Sequence, residues 1–172
     1  MFNKIHEFDE KVLRYIQNKF SCKFMDKTMV FFTFLGDYAI VWALLFAGLF
    51  VSEIYRKQSY ILAASIVITS FITECVIKNI VKRSRPSKNI DVSELLIKVP
   101  PSYSFPSGHT ATSFSAIIST MNVSITLGII VIIVASFIGL SRIYLKVHYF
   151  SDVIVGAVLG GIISSAVFSI MI

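Results

Sequence analysis

Between Val99 and Ser141 the chain has no Lys, Arg, Asp or Glu, and charged side chains make up only 15% of its 172 residues. So little charge excludes an ordinary water-soluble domain. Cysteine is also scarce. Cys22 and Cys75 are the only two, their spacing suits neither a metal site nor a redox pair, and both read as small apolar residues. Internal repeats and low-complexity tails are missing. The charged opening M-F-N-K-I-H-E-F-D-E, followed by no short apolar core with a small-residue cleavage site, is unlike a cleavable signal. What is plentiful is apolar: 55% of residues are hydrophobic and the mean hydropathy is +0.77. These values predict an all-α polytopic membrane bundle forming one membrane-embedded domain over residues 1–172. The net charge of +6 is concentrated before Val30 and between Lys78 and Lys98, which points to a phosphate or lipid headgroup rather than to nucleic acid.

Residues 1–28 form an amphipathic segment. Ile5, Phe8, Val12, Leu13, Tyr15 and Ile16 are interleaved with Lys4, Glu7, Glu10, Lys11, Arg14 and Lys19, a pattern for a helix lying on the membrane surface. Met29–Val51 is an apolar run interrupted only by Asp37, and Tyr60–Val81 is a second, with Glu74 and Lys78 one helical turn apart and able to pair. Ser87–Phe105 is a polar, proline-bearing connection. Apolar segments then run from Ser107 to Met121, from Ser124 to Leu140 and from Val153 to Ile172. The last contains Gly156, Gly160 and Gly161 as small surfaces for helix packing. This reading gives five crossings plus the surface helix, or six spans if the N-terminal segment inserts.

A hairpin that leaves at Ser107 and returns at Ser141 brings its ends to one face, where the second run also ends. Three groups distant in sequence therefore meet at one level: Lys78 with Arg85, Ser107 to His109, and Arg142 with His148 and Asp152. Ionisable residues at a membrane edge are functional candidates. Lys78, Arg85 and Arg142 supply cations, and the arginine forks match phosphate oxygens. Ser107 and Gly108 open a helix whose free N–H groups favour an anion. His148 and Asp152, spaced i, i+4, place a carboxylate where it can accept from one imidazole nitrogen and leave the other free to attack; an ordinary helix start with Asp152 on the helix dipole accounts for the same spacing. With His109 as an acid, ester cleavage has its two roles filled and demands no metal or other cofactor. Two His and one Asp could instead ligate a divalent ion, though three nearby cations would repel it. Lys82, Arg83 and Lys88 read as a basic juxtamembrane anchor.

These residues resemble the type 2 phosphatidic acid phosphatase family of membrane lipid phosphatases. Its K-x6-R-P motif is matched by Lys78, Arg85 and Pro86, its P-S-G-H motif by Pro106 to His109, and its S-R-x5-H-x3-D motif by Ser141, Arg142, His148 and Asp152. The resemblance implies His148 as a nucleophile forming a phosphohistidine, Asp152 orienting it and His109 protonating the leaving group. It also implies that Lys78, Arg85, Ser107, Gly108 and Arg142 hold the phosphoryl group, with no metal cofactor. Undecaprenyl diphosphate is the substrate that short bacterial relatives suggest; phosphatidylglycerophosphate, phosphatidic acid and lipid A phosphates are alternatives. A membrane protein that binds anionic lipid without catalysis is the reading from another class, and the presence of His109, His148 and Asp152 speaks against it.

The family usually places its site on the extracytoplasmic face. Fourteen of the sixteen Lys and Arg fall on the active-site side here, which by positive-inside reasoning points to the cytoplasm. Two residues stay open. Asp37 either lines the cavity or sits at its edge, and Lys146, where the family usually has a small residue, either adds headgroup affinity or faces solvent.

Overall fold

A computed structural model describes residues 2–37 and 40–172. Helix α1 spans Phe2–Phe20, α2 Lys23–Gly36 and α3 Ile40–Val51. One continuous helix, α4, runs over Arg56–Val81. After two single-turn 3-10 segments come α5 (Gly108–Ser115), α6 (Ile117–Met121), α7 (Ile125–Tyr144) and α8 (Phe150–Met171). Among the described residues there is no strand.

Among the described residues three helices, α4, α7 and α8, are long and apolar enough to cross a membrane, and α2 with α3, inclined at 52° to each other, meet the same test only as a pair, which makes four if they form one span. The segment Ser107–Met121, expected as a fifth crossing, runs from the cleft end of the bundle, where Gly108 and His109 stand with Lys78 and Arg142, to the end where α7 begins, but as a broken helix. It is broken at Ala116 into α5 and α6, and the 13 helical residues of the two would by themselves reach only about 20 Å, short of the roughly 30 Å hydrocarbon layer. Its apolarity serves the inside of the bundle, because Ala111, Ser113, Ser115, Ala116 and Ser119 are fully buried. The lipid-facing surface comes from the long helices, with Val67 and Phe71 on α4, Ile129 and Ile133 on α7, and Val158 and Ile162 on α8 all exposed.

Packing around α5 fixes the level of everything above it. Gly156 and Gly160 let α8 lie directly on α5: a Cβ at Gly160 would stand 2.1 Å from the Ala111 carbonyl oxygen, and one at Gly156 would stand 2.7 Å from that of Ser107. Gly161, expected to share this role, has nothing within 4 Å of its Cβ direction. A core of Trp42, Leu49, Leu62, Ala116, Val131 and Ile138 ties α3, α4 and α7 to the same centre.

The surface helix is present as expected. One stripe of α1, with Ile5, Phe8 and Tyr15, is exposed and apolar, as an interfacial helix requires, while Leu13 and Asp9 on the adjoining face are buried against the bundle.

Candidate active site

At one end of the bundle a cleft of about 890 Å³ opens between α2, α4, α5 and the 97–102 connection. Glu74, Lys78, Arg85, His109, Arg142 and His148 give it a polar floor, and Ile66, Ile97, Val99, Pro100 and Pro101 an apolar wall. The three sequence-distant groups expected at one level do meet here.

The turn after α7 places His148. Both Val147 N–H (3.2 Å) and His148 N–H (3.1 Å) donate back to the Arg142 carbonyl, and Lys146 adopts a φ of 59° to let the chain reverse. That left-handed conformation is one that glycine adopts at no steric cost and other residues only with some strain. The Lys146 side chain lines a separate small depression with Asp26 and Glu94, outside the main cleft.

Helix α8 begins at Phe150, so His148 precedes it, whereas Asp152 sits in its first turn and accepts from the Tyr149 N–H at 2.9 Å. Asp152 is thus a helix-capping residue and a partner of the histidine together. His148 Nδ1 lies 3.6 Å from Asp152 Oδ2 and makes no shorter contact among the described residues. The other carboxylate contacts fix its plane: Ser104 Oγ donates to Oδ2, and Arg83 Nη1 donates to Oδ1 at 2.5 Å. Both His148 and Asp152 are buried. Burial pushes the imidazole down to about 3, with Arg85 and Arg142 opposing a proton and Asp152 favouring one. At neutral pH the ring is therefore uncharged and keeps a lone pair on one nitrogen. Nε2 faces the cleft, 3.1 Å from Arg85 Nη1, which donates to it when the ring proton is on Nδ1.

Arg85 is held by the backbone: Nε donates to the Ser102 carbonyl (2.8 Å) and Nη1 to that of Val147 (2.8 Å). Arg142, from the last turn of α7, donates through Nη1 to Thr33 Oγ1, but its buried Nε has no partner among the described residues. A buried guanidinium N–H left open beside a cleft suits an arriving anion. Lys78 is also buried, 2.7 Å from Glu74 Oε1 and 3.2 Å from Ser102 Oγ, the pairing expected from their spacing. A π-helical stretch of α4, Phe71–Ile77, carries Glu74 to this position. A Cβ at Gly108 would stand 2.2 Å from Glu74 Oε1, so a side chain there would displace the carboxylate that pairs with Lys78. Ser107 is fully buried and caps α5, its Oγ accepting from Thr110 Oγ1 (2.8 Å) and Thr110 N–H (3.4 Å). It shapes the helix start behind the cleft instead of lining it.

His109 Nε2 lies 2.7 Å from Asp37 Oδ1, and the ring packs against Gly36, where a Cβ would stand 3.0 Å from its Cδ2. Asp37 thus lines the cleft and holds the second histidine. Sequence reasoning missed that pair, along with Ser104 behind Asp152. It also read Arg83 as a surface anchor, whereas the guanidinium bridges Asp9 and Asp152. No cluster of three or more His, Cys, Asp or Glu side chains suited to a metal ion occurs among the described residues.

Fold and site together define a helical membrane protein with a cationic pocket and a buried histidine at one end of the bundle. The family profile described as PAP2 superfamily matches residues 58–172. Decaprenylphosphoryl-5-phosphoribose phosphatase of Mycobacterium tuberculosis is 32% identical over 135 residues, 78% of this chain and 74% of that protein. Undecaprenyl-diphosphatase of Sulfolobus acidocaldarius is 36% identical over 139 residues, 76% of this chain and 65% of that protein. The crystal structure of Aquifex aeolicus LpxE superposes with a TM-score of 0.77 at 26% identity, covering 92% of this chain and 93% of that one. The first transmembrane PAP2 type phosphatidylglycerolphosphate phosphatase from Bacillus subtilis shares the fold, with a TM-score of 0.81 at 21% identity over 98% of this chain and 86% of that one. The chain belongs to the PAP2 superfamily. It is a phosphatase of membrane lipid phosphates.

Proposed function

We propose that the protein converts undecaprenyl diphosphate to undecaprenyl phosphate through a phosphohistidine on His148. The observation that carries the mechanism is the uncharged, buried His148 with Nε2 toward the cleft and Nδ1 toward Asp152. The polyprenyl substrate is supported by two relatives whose names both specify a long polyprenyl chain.

An entering terminal phosphate takes the hydrogen bonds of Lys78, Arg85 and Arg142, and the Gly108 end of α5 adds backbone N–H donors. Once Arg85 turns to the phosphate, the Nε2 lone pair is free. It attacks phosphorus, the bond to the bridging oxygen breaks, and His109 delivers its proton to that oxygen. Asp37 keeps the proton on His109 until the leaving oxygen arrives. Asp152 accepts the Nδ1–H and stabilises the charged phosphohistidine. Water then attacks phosphorus, gives its proton to His109 and releases inorganic phosphate. The cationic pocket stabilises the transferring phosphoryl group, so no step calls on a metal.

Phosphate release by the detergent-purified protein, with EDTA throughout, tests substrate choice. Undecaprenyl diphosphate is turned over with a kcat/KM about tenfold or more above phosphatidylglycerophosphate and phosphatidic acid, a margin of about 1.4 kcal/mol. A preference for either glycerolipid would replace the polyprenyl reading.

We also place the site on the extracytoplasmic face, as in bacterial relatives. Lys78, Arg83, Arg85 and Arg142, four of the fourteen basic residues on that side, are committed to internal contacts, which weakens the opposing charge argument. Val92→Cys, at an exposed loop position in a Cys22→Ser, Cys75→Ser background, becomes labelled by an impermeant maleimide in intact cells. Labelling only after lysis would put the site inside.

A further inference from the structure

The surface helix α1 reaches the candidate nucleophile through a buried chain of charges. Asp9, on the inward face of α1, is fully buried. Its Oδ1 accepts from the Ser151 N–H at 2.9 Å, and its Oδ2 accepts from Ser151 Oγ at 2.6 Å and from Arg83 Nη2 at 2.6 Å. The same guanidinium donates through Nη1 to Asp152 Oδ1 at 2.5 Å and to Ser151 Oγ at 2.7 Å, and it lies 4.2 Å over the Tyr149 ring. His6 of α1 makes an edge contact with the same ring at 5.4 Å.

Arg83 is thus a clamp with a carboxylate in each half of its fork. Two buried carboxylates around one guanidinium leave a net negative charge behind His148, which favours the charged imidazole that phosphoryl transfer creates. Without Asp9 the guanidinium would neutralise Asp152 alone and lose the contact that fixes its tilt. We infer that Asp9 and Arg83 are positioning residues for the His148–Asp152 pair, so that an N-terminal helix lying outside the three sequence motifs is part of the working site. This rests on the histidine mechanism proposed above.

Hydrolysis of p-nitrophenyl phosphate by the full-length protein in phospholipid nanodiscs tests it without the complication of lipid entry. The wild type must first show turnover that disappears in His148→Ala; if it does not, the histidine mechanism fails and takes this inference with it. Given that control, Asp9→Asn lowers kcat by about 10- to 100-fold with KM within about twofold, the pattern of an interaction realised in the transition state. Asp9→Glu recovers part of the loss. In an Arg83→Gln background Asp9→Asn has no additional effect, because it acts through the guanidinium; two merely structural anchors would add. Should Asp9→Asn not fold, Ser151→Ala, which removes one donor and one acceptor from the clamp, gives a milder loss of about three- to fivefold in kcat by the same reasoning. Wild-type kcat in Asp9→Asn or, if that variant is lost, in Ser151→Ala would overturn the inference, as would additive losses in the double variant.

Discussion

Replacing His148 with alanine lowers phosphate release from a lipid substrate by about 10³-fold or more, with the protein still folded. In the mechanism proposed above His148 is the nucleophile, so its loss removes a reaction path rather than weakening a contact, and effects of that size are ordinary for such residues. His148 lies in a turn held by backbone hydrogen bonds to Arg142, so its side chain is not what closes the turn. Asp152→Asn separates orientation from attack. The amide nearly keeps the shape, but it loses the charge that supports the imidazolium, and it presents an N–H to one of the donors now around it, Arg83 or Ser104 and the Tyr149 N–H. That variant falls by about 10²-fold or more, a loss of orientation and charge with the attacking nitrogen still present. Turnover of His148→Ala within tenfold of the parent would remove this residue from the chemistry.

The largest effect on stability comes from a methyl group on α8. Gly160→Ala puts a Cβ 2.1 Å from the Ala111 carbonyl oxygen and 3.0 Å from the Ser115 nitrogen, both backbone atoms of α5 that no rotamer change can move. The helices must separate, at a cost of about 2–3 kcal/mol by the usual scale of overpacking. Because α5 begins at Gly108 and His109, activity falls with stability. The adjacent Gly161→Ala meets nothing within 4 Å and only trades glycine for a better helix former, so it is neutral or stabilising by about 0.5–1 kcal/mol. Thermal melting in detergent checks both, and equal behaviour of the two variants would contradict the packing described here.

The lining of the cleft was legible in the sequence because its chemistry admits few residue types: Lys78, Arg85, Gly108, His109, Arg142 and His148 are polar or small beside long apolar runs. Helix existence was legible for the same reason. The function of Ser107–Met121 was not, since burial against protein and exposure to lipid ask for the same apolar side chains. Arg83 stood among other basic residues, where composition cannot separate a clamp from an anchor. Asp9 joins Ser151 across 142 positions, and no local pattern marks such a pair. Gly156, Gly160 and Gly161 looked alike as letters. The side of the helix they occupy tells them apart, and a shift of one position turns a residue by about 100°.

The two-toned cleft, with Lys78, Arg85 and Arg142 below and Ile66, Val99 and Pro101 beside them, suits a substrate that is itself part oil and part water. Cleavage at that boundary yields one product that belongs to each phase. The shortened lipid never has to lose its hydrocarbon surroundings, and the freed phosphate leaves in the opposite direction, into solvent. Turnover is thereby spared the desorption of the lipid chain, which costs about 0.8 kcal/mol for each methylene.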